Sequence, residues 1–478
     1  LFMAETKPFR RFRQTKIVAT LGPASSSYEM VKKLFEEGAD VFRLNFSHGT
    51  ADDHKARLDI IRRVEKEYNH PIGVFADLQG PKIRIGRFEN SSIMLENGQK
   101  FTLDRNEAKG NQERIELPHP EVFEAVSAGE MLLLDDGKVH LEITEVTADK
   151  IETRVKAGKK LSDCKGVNLP NTLLRSSPLT AKDRADLESA IEMGIDWVAL
   201  SFVQKPDDIA EARKLINGRA FLISKIEKPS AVTHLKEIID LSDAVMLARG
   251  DLGVEIPAQK VPAVQKRAVR LAREAGRPII IATQMLESMI TSPTPTRAEA
   301  SDVATAIYDG TDAVMLSAET AAGEYPLEAV GMMRKIACDV EADDLYRKIM
   351  DAEHPDPDDN AADAITSAAH RVAQTIRAAA IVNYTTTGST TLRTARERPP
   401  APILCLTASM SVARRMALSY GVHAVHTGDI SSFDEMVENA TTIARAEGLA
   451  ENNQRIVITA GVPFGTAGST NALRIAWT

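Results

Sequence analysis

The sequence predicts an α/β protein: a (β/α)8 TIM barrel carrying an inserted all-β lid domain, followed by a C-terminal α/β domain. Three observations point there. Eight short apolar runs recur with helical patterns between most of them; the alternation breaks once, between about Pro81 and Pro178; and it resumes in another form beyond an acidic, proline-bearing stretch. At 478 residues the chain exceeds the roughly 100–200 residues of one ordinary domain, so several hydrophobic cores are expected.

The eight runs are Ile17 to Leu21, Val41 to Phe46, Ile72 to Leu78, Trp197 to Val203, Phe221 to Ile226, Ala244 to Ala248, Ile279 to Ala282 and Ala313 to Leu316. Continuous apolar character followed by polar or glycine-rich residues is the mark of parallel strands buried on both faces. Between them, Val31, Leu34 and Phe35 stand at helical spacing before Gly38, and Leu187 and Ile191 repeat the device before Gly194. A doubly wound open sheet shares this alternation, but the count of eight favours the barrel. The barrel is assigned to 1–80, including an N-terminal arm, and to 179–350.

Within 81–178, Val139, Leu141 and Ile143 alternate after the turn signal Asp135-Asp136-Gly137, which reads as β structure. An insertion after a barrel strand lies over the face where barrel active sites form, so it reads as a lid, with a plain accessory domain as the alternative. The acidic stretch from Asp351 to Asn360 reads as a linker. After it, in 351–478, the strand-like runs Ala380 to Tyr384, Ile403 to Leu406, Val422 to His426 and Ile456 to Thr459 alternate with helical segments.

Composition narrows the function. A net charge of -8 argues against a nucleic-acid or anionic-membrane surface as the main purpose. No apolar stretch approaches membrane-spanning length, and the basic segment Lys7 to Lys16 lacks the apolar core of a signal peptide. Arg10, Arg11 and Arg13 in that segment read as a solvated arm, with contact to an anion as the lesser alternative. Cys164, Cys338 and Cys405 are too widely spaced for a disulfide framework or a paired-cysteine metal site, so a cytoplasmic location is expected.

Residues two apart on a strand point the same way, so Lys225 and Glu227 share a face at the end of the fifth barrel strand, and Arg249 and Asp251 follow the sixth. Two carboxylates with two cations at a barrel mouth fit a hard divalent cation and an anionic substrate, or a salt-bridge cluster that closes the mouth; both readings stand on the residues alone. Arg43, Asn45 and Ser47 alternate at the end of the second strand, and Asp77 and Gln79 at the third, giving a polar pocket of mixed charge. His48 is a weaker candidate. The amides around Gly250 and Gly253 suit a carboxylate or phosphate, or an ordinary turn. Thr283 ends the seventh strand with a hydroxyl that faces the same region or caps a helix.

These residues lie in blocks that together resemble the pyruvate kinases over nearly the whole chain: RLNFSHG, DLQGPKIR, KGVNLP, ISKIE, ARGDLGVEIP, ATQMLESM and TRAEASDVATAIYDGTDAVMLSAETAAGEYP. The resemblance implies phosphoryl transfer from phosphoenolpyruvate to ADP, giving pyruvate and ATP. It makes Glu227 and Asp251 the ligands of Mg²⁺, with Mn²⁺ as a substitute, and Lys225 and Arg43 the cations beside the phosphoryl group. Thr283 then stands near the enolate carbon, and Arg249, Gly250 and Asp251 line the substrate. Asn45 and His48 fall on the nucleotide side, and Lys165 in KGVNLP is the lid residue that reaches the ADP phosphates. A homotetramer is likewise implied.

One position departs from the usual pattern. Pyruvate kinases that require K⁺ resemble this chain at Asn45, Ser47 and Asp77 but carry glutamate where it has Lys82, and threonine-lysine where it has Leu78-Gln79. An ammonium at Lys82 can fill the role of the monovalent cation, so activity without K⁺ is expected. In the last domain, Thr385, Thr386, Thr387, Gly388, Ser389 and Thr390 form a hydroxyl-rich loop suited to phosphate or to helix capping, with Arg393, Arg396 and Arg398 following on a basic helix. This loop resembles the family's allosteric sugar-phosphate site, and PFGTAGSTNALRI its closing loop.

A phosphoenolpyruvate mutase or a metal-dependent aldolase also uses a barrel, paired carboxylates and Mg²⁺, but lacks a lid with KGVNLP. A catalytically silent effector-binding protein needs only the last domain. The intact set Lys225, Glu227, Asp251, Arg43 and Thr283 argues against it.

Overall fold

The computed structural model describes residues 9–174, 177–464 and 470–478. Its centre is a closed barrel of eight parallel strands. In chain order these are Lys16–Leu21, Val41–Asn45, Gly73–Asp77, Trp197–Leu200, Phe221–Ile226, Ala244–Ala248, Ile279–Ala282 and Ala313–Leu316. Each coincides with one of the eight apolar runs. The first strand closes the ring on the eighth, with Lys16 beside Ala313. Register places Arg43 beside Phe75 and Asn45 beside Asp77, so polar residues that end neighbouring strands arrive at the same height.

Val18, Phe75, Trp197, Ile223, Met246 and Ile280 are buried together on one side of the strands, and a larger cluster joins the other side to the surrounding helices. Each fully buried aliphatic side chain there contributes about 1.5–3 kcal/mol relative to exposure. The helix Tyr28–Glu37 starts with Ser27 accepting the Met30 amide and stops at Gly38, as its glycine predicts. Ala181–Met193 begins with a Thr180/Asp183 capping box and ends at Gly194, whose φ of 84° favours a residue without Cβ.

Between the third and fourth strands the chain builds a six-stranded sheet and a two-stranded ribbon. The Asp135-Asp136-Gly137 turn joins Met131–Leu134 to Val139–Val146, with all three residues at positive φ. The C-terminal sheet has the order Val422–His426, Ile403–Thr407, Ala380–Tyr384, Arg455–Gly461, Thr470–Trp477. The first four strands are parallel and the last is antiparallel to its neighbour.

That last strand corrects the reading of PFGTAGSTNALRI as loop throughout. Residues 465–469 of this segment lie outside the described residues, but Thr470 begins a strand. It is an edge strand with Ile475 and Trp477 exposed, so the buried apolar run used to find the others is missing.

The basic arm is also corrected. Arg13 is 3% exposed and bonds Asp40 Oδ2 at 2.7 Å, while Arg11 Nε reaches Oδ1 at 3.2 Å. Burial alone would raise the Asp40 pKa, but the charges of Arg13, Lys16 and Arg11 bring it down to about 2. Arg11 also lies 4.4 Å from the Phe9 ring centre and 4.9 Å from that of Phe35. The arm is fastened to the barrel by charge and stacking, which local composition does not reveal.

Candidate active site

At the C-terminal end of the barrel, a cavity of ≈ 170 Å³ is lined by Arg43, Asn45, Ser47, His48, Asp77, Gln79, Lys82, Lys225, Glu227 and Asp251, among others. The second, third and fifth strands supply most of these groups, because each turns polar where it leaves the buried ring.

Lys225 is the hub. Its Nζ lies 3.1 Å from Asp77 Oδ1, 2.9 Å from Glu227 Oε1 and 2.8 Å from Ser201 Oγ. Burial on its own would strip the proton, yet Asp77 and Glu227 overcome it and raise the lysine pKa. Lys225 is therefore a fixed cation. Asp77 is buried, which opposes ionisation, but Lys225 and Arg43 hold its pKa below the ordinary value. Arg43 meets it through Nε at 2.7 Å and extends Nη1 to Thr20 Oγ1 at 3.3 Å.

Glu227 is 1% exposed and accepts the Phe202 amide at 2.8 Å. Its pKa is raised, first by burial and then, against the pull of Lys225, by the negative charge of Asp251. Two carboxylates thus line one cavity, and the charge of Asp251 raises the cost of ionising Glu227. A hard dication relieves that cost, and two carboxylates leaving room for substrate oxygens and water suit Mg²⁺.

Asp251 belongs to a short helix, Arg249–Glu255, which starts directly after the sixth strand. The strand rule that put Arg249 and Asp251 on one face therefore does not apply. Arg249 does not line the mouth cavity; its guanidinium is bound to Asp302 at 2.7 Å and to the Thr283 carbonyl at 3.0 Å. Thr283 is no helix cap. It has φ 69° and its Oγ1 accepts the Gly250 amide at 2.6 Å, tying the seventh strand's end to the helix that carries Asp251.

Lys165 lies on the lid, 2.8 Å from Asp135, and is not part of the cavity lining. The lid touches the barrel through Asn168 Nδ2, which donates to Glu255 Oε1 at 3.0 Å, and the same oxygen takes Lys228 Nζ at 2.6 Å. Glu255 sits on the Asp251 helix, so the lid and Asp251 share one support.

Sequence reasoning passed over Ser201, Phe202 and Arg84. Ser201 receives Lys225 and donates to the Leu78 carbonyl at 2.7 Å, and all three residues line the mouth. The signal was available: Ser201 and Phe202 follow the fourth strand directly, and Arg84 stands two residues after Lys82.

In the C-terminal domain, Thr385, Thr386, Thr387, Ser389 and Thr390 line a cavity of ≈ 280 Å³ with Thr407, Ser409, Thr427 and Asp429. Gly388 takes φ 92° and donates its amide to Thr385 Oγ1 at 2.9 Å. None of the arginines that follow lines this cavity; Arg393 is partly exposed and pairs with Asp363, and the other two are buried. Arg396 is 3% and Arg398 1% exposed, turned onto Asp363 and Asp312 respectively.

Among the described residues, no helix is long and apolar enough to cross a membrane. A family model described as the barrel domain of pyruvate kinase matches residues 12–330, and one described as its alpha/beta domain matches residues 363–476. A pyruvate kinase of Methylorubrum extorquens is 51% identical over 468 residues, covering 98% of each chain. One of Geobacillus stearothermophilus is 43% identical, covering 97% of this chain and 80% of that one. The crystal structure of a pyruvate kinase from Cryptosporidium parvum superposes with a TM-score of 0.91 at 34% identity, over 97% of this chain and 96% of the other.

Proposed function

Since the chain belongs to the pyruvate kinase family and transfers phosphoryl from phosphoenolpyruvate to ADP, we propose that Lys225 and Arg43 hold the moving group, Glu227 and Asp251 hold Mg²⁺, and Thr283 serves the enolate carbon. The carrying observation is the convergence of both cations and both carboxylates on one mouth. Phosphoryl transfer spreads negative charge over the moving oxygens, so pre-aimed cations lower its barrier. Lys225 needs no reorganisation to do this, because Asp77, Glu227 and Ser201 already fix its ammonium. Bound by Glu227 and Asp251, Mg²⁺ or Mn²⁺ supplies further positive charge to the substrate oxygens.

Loss of the phosphoryl group leaves an enolate that must take a proton to become pyruvate. Lys225 holds its proton too firmly to give it, and a threonine hydroxyl is a poor acid. Thr283 therefore positions a proton-bearing water. Arg249, bound to Asp302 and to the carbonyl beside this hydroxyl, acts on the substrate by fixing that turn. The test is a coupled assay for pyruvate from phosphoenolpyruvate and ADP, with Mg²⁺ present or chelated and with Lys225→Ala beside the wild type. Metal-dependent turnover that the variant lacks is expected; no ADP-dependent turnover defeats the reading.

Asn45 and His48 line the mouth on the side assigned to the nucleotide. Lys165 reaches ADP phosphates by leaving Asp135 as the lid moves, a motion that also excludes water. Lys82 lines the same cavity as Asn45, Ser47 and Asp77, which supports its ammonium standing in for K⁺. Turnover in buffer free of K⁺ and Na⁺ is expected to match turnover with KCl; strict K⁺ dependence overturns this.

The hydroxyl-rich cavity at Thr385 to Thr390 supports a phosphorylated effector, whose phosphate accepts from those side chains. The domain limits 1–80, 81–178, 179–350 and 351–478, the cytoplasmic setting and the homotetramer complete the proposal; sedimentation tests the last.

A further inference from the structure

At the far end of the barrel from the mouth, the turns before the seventh and eighth strands meet the C-terminal domain. Arg273, in the last turn of the helix Val261–Glu274, is 3% exposed there. Its Nε and Nη2 have no hydrogen-bond partner among the described residues, and the carboxylate of Glu353 stays 3.8 Å from Nη1. The Nε of Arg277 is likewise buried and unpartnered. A guanidinium taken from water with its N–H edges unmet is strongly disfavoured unless something accepts from it.

Both arginines line a cavity of ≈ 10 Å³ with Arg396, Arg398 and Asp312. Asp312 makes no hydrogen bond to either: its Oδ2 takes Arg398 Nη2 at 2.8 Å and the Ile279 amide at 3.2 Å, and its Oδ1 takes the Tyr420 amide at 3.0 Å. Arg396 is bound to Asp363, and Arg398 also to the Gly310 carbonyl. The lining thus carries four cations against one carboxylate, which is bound to Arg398 and two backbone amides. Burial lowers the Arg273 pKa to about 10, which leaves it charged at neutral pH.

We propose that Arg273 and Arg277 bind a small inorganic monoanion of halide size, chloride in ordinary salt, which fastens the C-terminal domain to the barrel. The cavity has about the volume one water-sized occupant needs, too little for a phosphate ester. An anion fits it better than water does. Water accepts from the arginines but must also place its own two hydrogens, and the one carboxylate in the lining already accepts three hydrogen bonds; a halide needs donors alone. The site is independent of the phosphoryl-transfer reading.

The test is thermal unfolding of the full chain at constant ionic strength, exchanging sodium gluconate for sodium chloride, with wild type, Arg273→Gln and Arg277→Gln. The wild-type Tm is expected to rise saturably by about 2 °C with chloride, and the variants to lose that response. Bromide soaked into crystals is expected to give an anomalous peak within hydrogen-bonding distance of Arg273 Nε. An equal chloride response in wild type and variants, or no bromide at Arg273, overturns the proposal. Should Arg273→Gln fail to fold, Arg277→Gln at the partly exposed mouth and the bromide map decide it.

Discussion

The Thr283 hydroxyl accepts the Gly250 amide at 2.6 Å while its own backbone sits at φ 69°. A β-branched residue rarely adopts that conformation, which costs about 1–3 kcal/mol. The contact holds the threonine beside the helix of Asp251, where a water for the enolate is to be positioned. Thr283→Ala is expected to lower kcat roughly 10–100-fold, with KM for phosphoenolpyruvate nearly unchanged, and Thr283→Ser to recover most of it. Steady-state kinetics of both variants check this; a wild-type kcat for the alanine variant removes Thr283 from the enolate step.

The raised pKa of Glu227 comes from burial and from the neighbouring charge of Asp251, which supports the proposed dication between the two. Glu227→Gln is expected to raise the half-saturating Mg²⁺ concentration about tenfold or more, and Asp251→Asn to act in the same direction. Titrating activity with Mg²⁺ separates this from a general loss: a lower kcat at an unchanged Mg²⁺ midpoint contradicts metal ligation.

Lys82 is exposed and lines the mouth together with Asn45, Ser47 and Asp77. Replacing its fixed cation by a carboxylate recreates a demand for a mobile one. Lys82→Glu is expected to be nearly inactive without K⁺ and to regain turnover as KCl is added, while the wild type stays flat. A variant that KCl does not rescue counts against the substitution of lysine for K⁺.

The barrel was legible because strands buried on both faces write continuous apolar runs, and Lys225 and Glu227 because strand alternation aims them together. What escaped depends on contacts distant in sequence. Arg249 was misread since its backbone has already become helical; the shared face of a strand ends at Ala248. Arg13 and Asp40 find each other across 27 residues, and Arg398 meets Asp312 across 86. The edge strand at Thr470 lacks the buried apolar run that marked its neighbours.

Asp40 is the sole carboxylate bonded to both Arg11 and Arg13 among the described residues, and it also accepts the Ile17 amide at 2.8 Å. Asp40→Asn removes the negative charge that balances both guanidinium groups and leaves them only backbone carbonyls as acceptors. A loss of about 3 kcal/mol is expected in denaturant unfolding. Glu67, whose partner Lys32 lies on the surface, provides the contrast: Glu67→Gln is expected to leave the unfolding midpoint almost unchanged. Equal effects from the two substitutions contradict the assignment of the arm as fastened.

His370, 3% exposed on the helix Ala361–Ile376, has its pKa lowered to about 4, chiefly by burial and then by the charges of His354 and Arg347. Its unfolded value is about 6.5. Between those two values the unfolded chain binds a proton that the folded chain refuses, so stability falls as pH falls through this window and is unaffected above it. The loss at full protonation of the unfolded state is about 2–3 kcal/mol. In His370→Leu the titrating group is gone. Its Tm is therefore expected to decline less than the wild type's between pH 6.5 and 4.5, with the two pH profiles parallel above pH 7. Profiles that run parallel across the whole range show instead that other groups set the acid limb, and that the proton reaches His370 in the folded chain.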